Sequence, residues 1–87
     1  MISYYIALQT KSHALLLERR LKQQGIKCEL AFMPRPIMKD LCNMGIKLPE
    51  GYFDYAVPVI KCSGLPGFRV YKEILTSTGG NYIEVKI

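Results

Sequence analysis

The 87-residue chain has no tryptophan, one histidine, and three cysteines that form no C-x-x-C pair. An odd set at Cys28, Cys42 and Cys62 excludes a fully paired disulfide framework. The wide spacings also deny structural zinc the local ligand pair that anchors it. Free thiols fit a reducing compartment, so the expected location is cytoplasmic. No apolar run approaches the roughly 20 residues that cross a bilayer. The opening Met1-Ile2-Ser3-Tyr4-Tyr5-Ile6 lacks the basic region and cleavage site of a signal peptide. No membrane association is expected. Gly-rich phosphate loops, serine-hydrolase elbows and paired-metal motifs are missing too, and no cofactor is expected.

Concentrated charge is also lacking. The formal net charge is +5, yet the basic residues are scattered and no run reaches five. A positive balance attracts nucleic acid, anionic surfaces or acidic partners in general. Scattered charge reads first as solubility. Six tyrosines and three phenylalanines offer stacking surfaces, but the RNP-type pattern of an RNA-binding sheet is not recognisable. Tyr4, Tyr5, Phe68 and Tyr71 belong to ordinary sheet faces, and nucleic acid is not an expected partner.

What is present describes a folded globule. Hydrophobic residues make up 49% of the chain and charged residues 22%, which is neither a disordered nor a membrane composition. The length fits one domain over residues 1–87.

Local patterns predict the elements. Ser3 to Leu8 is rich in strand formers. Ser12 to Gln24 turns helical, with Ala14, Leu17 and Leu21 on one face and Glu18, Arg19, Lys22 and Gln23 facing outward. Gln9-Thr10-Lys11-Ser12 offers N-cap oxygens, and Gly25 followed by Ile26 closes the helix. Lys27 to Met33 alternates as a second strand, which Pro34-Arg35-Pro36 ends. Pro36 opens a short helical turn through Leu41. Gly45 to Leu48 is a brief third strand. Tyr52 to Cys62 has helical spacing with Pro58 inside it, which predicts a kinked helix. Phe68 to Leu75 and Tyr82 to Ile87 are closing strands around a Thr78-Gly79-Gly80-Asn81 turn.

This order predicts an α+β chain: a ferredoxin-like βαββαβ two-layer sandwich with an additional C-terminal edge strand. That edge strand, Tyr82 to Ile87, presents unpaired backbone groups, so a homodimer is an expected association.

Cys42 is the candidate for chemistry. It follows the proline-arginine-proline corner and precedes a Gly-containing loop, with Arg35, Lys39 and Lys47 near it in sequence. Positive charge favours thiolate, the form that attacks sulfur or binds metal. The same three cations are candidate stabilisers of a bound anion, and Arg35 offers a planar fork. The competing reading makes Cys42 a small packed hydrophobe. A cysteine after a helical turn would also face the unfavourable end of the dipole. Cys28 and Cys62 are read as packing residues. His13, without a carboxylate partner in view, is read as a solvated residue at a helix start.

The opening Tyr4-Tyr5-Ile6, Ser12-His13-Ala14, Glu18, Leu21 and Gly25-Ile26 resembles the DUF3343 family, described as Se/S carrier protein-like. Pro34-Arg35 is similar to its proline-arginine step, Cys42 to its cysteine, and Met44-Gly45-Ile46-Lys47 to its short apolar run ending in a basic residue. Asn43 stands where the family has glycine, and Pro36 follows the arginine where it has another residue. The resemblance spans roughly Tyr4 to Leu48. It implies a sulfur or selenium carrier whose thiol, Cys42 here, accepts a chalcogen atom and passes it on. Its partners would be a protein donor and a protein acceptor. Such a chain is a carrier more than a turnover enzyme. The alternative is a non-catalytic module of the same fold that binds a small anion or a protein.

Overall fold

Alternation along the first strand decides which residues meet which layer. In the computed structural model, which describes residues 2–34 and 44–87, β1 spans Ile2–Ala7. Tyr4 and Ile6 point to the helices, while Ser3, Tyr5 and Ala7 occupy the other face. β1 lies at the centre of a five-stranded sheet of order β2-β3-β1-β4-β5, every neighbouring pair antiparallel. The other strands are β2 (Glu29–Phe32), β3 (Met44–Pro49), β4 (Arg69–Thr76) and β5 (Gly79–Val85).

Helix α1 (Lys11–Gln23) buries Ala14, Leu17 and Leu21, the stripe that its spacing predicts. The Thr10 hydroxyl accepts a 3.1 Å hydrogen bond from the His13 N–H and caps its start. At the other end Gly25 takes φ +75°. The Gly25 N–H donates to Lys22 and the Ile26 N–H to Leu21, both at 3.0 Å, a Schellman closure that satisfies two terminal carbonyls. A 3-10 turn over Glu50–Tyr52 leads into α2 (Phe53–Lys61). That helix runs through Pro58 and buries Ala56 and Ile60.

Both helices pack on one sheet face. Ile6, Leu17, Leu21, Ile46, Leu48, Ile60 and Val70 are almost completely buried there. Each such side chain stabilises the fold by roughly 1.5–3 kcal/mol relative to exposure. The Tyr4 ring stacks on Phe53, centroids 3.7 Å apart and planes within 8°. The opposite face carries a smaller cluster of Tyr5, Ala7, Met33 and Tyr71, with Ala31 and Tyr82 against it.

The mixed α and β composition and the element order agree with the sequence reading, and several boundaries differ. β2 is four residues long because among the described residues it pairs with β3 alone, from Glu29↔Lys47 to Phe32↔Met44. The expected Gly79-Gly80 turn is instead the start of β5. The loop is Ser77 and Thr78, set between the paired Thr76 and Gly79. The Thr76 hydroxyl donates 2.7 Å to the Gly79 carbonyl across it. The predicted helical turn from Pro36 to Leu41 lies outside the described residues.

Candidate functional site

Of the four residues singled out, Cys42, Arg35 and Lys39 lie outside the described residues. Lys47 is in β3, half-buried on the face without helices. Its ammonium sits 5.6 Å from the centroid of the Tyr5 ring, a cation–π distance. The register aligns Glu29, Lys47, Tyr5, Tyr71 and Glu84 in one row across all five strands. Lys47 stands three steps along β3 from its first residue, Met44, roughly 10 Å at the strand rise. Lys47 therefore belongs to the middle of the sheet.

The chain leaves β2 and enters β3 at the sheet end where Ala7 pairs with Gly45 and Arg69, and Phe32 with Met44. Helix α1 starts at this same end, three residues after β1 closes. Its first turn holds no acidic residue, so the positive end of its dipole is not offset by a carboxylate. Arg69, exposed at the first position of β4, adds a cation there. His13 lies in the first turn of α1, and its Nδ1 is buried without a hydrogen-bond partner among the described residues. The expected fully solvated histidine is thus half covered. Sequence reasoning missed Arg69 because strand register brings it to this end. No sequence spacing signals it.

Two other cysteines are described, and they differ. Cys28 is 8% exposed. Burial pushes its thiol up from the ordinary value, the Glu18 carboxylate raises it further, and Lys22 opposes both. A thiol so placed is a poor nucleophile at neutral pH. Cys62 was expected to pack and does not. It caps the C-terminus of α2 in the open and borders a depression between α1 and α2.

Polar groups concentrate on the face without helices. Glu73 is 5% exposed, and its carboxylate accepts a 2.7 Å hydrogen bond from the Tyr82 hydroxyl. Because the phenol must keep its proton to donate, the Tyr82 pKa is pushed up to about 12, with burial and the Glu73 charge adding to the hydrogen bond. Tyr71 is 6% exposed, and its hydroxyl has no partner among the described residues. The Tyr5 and Tyr82 rings meet edge to face at 6.2 Å.

Among the described residues no group of three or more His, Cys, Asp or Glu side chains is placed to hold a metal ion. No described helix is long and apolar enough to cross a membrane. The family model described as "Putative Se/S carrier protein-like" matches residues 3–72. The match takes in the first four strands up to Lys72, both helices and the stretch with Cys42, and leaves out β5. No curated protein and no solved structure matches the chain significantly.

Proposed function

The chain belongs to this Se/S carrier-like family, and from that premise we propose that Cys42 is a thiol that accepts sulfur or selenium from a protein donor and delivers it to a protein acceptor. The family match through residues 3–72, which includes Cys42, carries the reading. In the sulfur case the Cys42 thiolate attacks the terminal sulfur of a donor persulfide. A new S–S bond forms on Cys42, the donor's S–S bond breaks, and the donor leaves as its thiolate. Delivery repeats the exchange with an acceptor thiolate, so no outside oxidant or reductant enters.

Attack needs thiolate, and positive charge supplies it. Arg35 and Lys39, close to Cys42 in sequence, are the proposed stabilisers, and Lys47 adds charge from the middle of β3. The sheet end bracketed by Phe32 and Met44 supports this, because the uncompensated start of α1 and Arg69 lie there. Cys28, buried and raised, takes no part.

The same proposal takes residues 1–87 as one ferredoxin-like domain acting in the cytoplasm. The β2-β3-β1-β4 order, with both helices on one face and β5 added outside β4, supports that class. The free edge of β5 is the candidate strand for a homodimer.

The test is intact mass after incubation with a cysteine desulfurase and cysteine. The wild type gains one sulfur that dithiothreitol removes, and Cys42→Ser gains little or none. Equal labelling of both proteins, or of neither, refutes the carrier.

A further inference from the structure

Helices α1 and α2 touch lightly, and a trough remains between them on the outer surface. It consists of two adjoining depressions of about 560 and 580 Å³ that share Gln24, Pro58 and Val59. Leu16, Pro58 and Val59 give it an apolar floor, and Arg19 and Arg20 stand along the α1 side. Among the described residues neither arginine forms an ion pair, and the ion pair there joins Lys22 to Glu18 at 3.4 Å. Among the described residues no carboxylate lines either depression. Tyr55, 70% exposed, borders the far end.

Two guanidinium groups without an ion-pair partner among the described residues, beside an apolar strip, match a segment that alternates carboxylates with aliphatic side chains. Each guanidinium takes a carboxylate in a fork of hydrogen bonds. The strip covers an aliphatic side chain between them. A nucleic acid would need a longer track of cations to follow its phosphates, and the lining offers two. We propose that this trough is a docking surface for an acidic, leucine-bearing segment of a partner protein, with Arg19 and Arg20 receiving its carboxylates. The surface does not depend on Cys42 chemistry.

The probe is a fluorescein-labelled peptide of repeated Glu-Glu-Leu triplets, read by anisotropy against the full-length protein. Saturable binding is expected, with no binding of a Lys-Lys-Leu counterpart. Arg19→Glu and Arg20→Glu each weaken it by about two- to fivefold or more, as exposed ion pairs do, and added salt weakens it further. Leu16→Asp weakens it through the floor. Circular dichroism of each variant, unchanged at these exposed positions, keeps a folding defect from counting as support. Cys42→Ser binds as the wild type does, so a failed carrier test leaves this result standing. Affinity untouched by both arginine reversals, or absence of saturable binding, overturns the assignment. So does equal displacement of the peptide by oligothymidylate, which would mark a general polyanion surface.

Discussion

One set of strands presents two unlike faces. Toward the helices, Ile6, Ile46, Leu48 and Val70 meet Leu17, Leu21 and Ile60 and exclude water through aliphatic contact. On the other side the alternate residues Tyr5, Tyr71 and Glu73 are nearly as buried, yet they carry a ring, a phenol and a carboxylate. The first face is held by area removed from water, which has no direction. The second is held in part by contacts that do, such as Tyr82 to Glu73 and Lys47 to Tyr5. Substitutions on the two faces should therefore fail differently.

The largest effect belongs to the helix side. Leu17→Ala opens a cavity under α1 and is expected to cost about 2–5 kcal/mol in denaturant unfolding. A cost below 1 kcal/mol would show that this face packs loosely. Next comes Gly45, where a side chain would meet the Ile6 carbonyl and the end of Met33. Gly45→Val is expected to cost roughly 1–3 kcal/mol by forcing β1 and β3 apart. An unchanged melting temperature would break the claim that these strands close on each other at this position.

On the other face Tyr82→Phe leaves Glu73 buried without its donor, at a cost of about 1–3 kcal/mol. Adding Glu73→Gln should recover part of the loss, because the stranded charge is gone. A double variant as unstable as the sum of the singles would dissolve the pair. The smallest effect is at high pH. Tyr82 is held neutral up to about pH 12 against an ordinary 10. A raised folded pKa means its contribution is complete below pH 10 and is lost as pH climbs from 10 to 12. The phenolate absorbance of one tyrosine should lag the others, and the lag should vanish in Glu73→Gln.

These contrasts mark what the sequence made legible. The α1 stripe and its Gly25 closure depend on neighbours three to five residues apart, so spacing revealed them. α2 was readable despite Pro58 because Ala56 and Ile60 keep the helical interval. The start of β5 was not, since Gly79-Gly80 carries the composition of a turn and only pairing with Leu75 and Thr76 makes it strand. Glu73 to Tyr82, Lys47 over Tyr5 and the position of Arg69 arise from register between strands far apart in sequence. The exposure of Cys62 follows from how α2 ends against α1. Cys42 entered by its sequence surroundings and family resemblance alone.

Burial likewise separates the two described thiols, Cys28 covered and Cys62 open, and the contrast with the proposed carrier Cys42 leads to the most direct test. After incubation with a cysteine desulfurase and cysteine, the chain is digested and each cysteine peptide is weighed. The account predicts labile sulfur on the Cys42 peptide, none on the peptide of buried Cys28, and little on that of Cys62. Sulfur distributed equally between Cys42 and Cys62, or absent from Cys42, would contradict it.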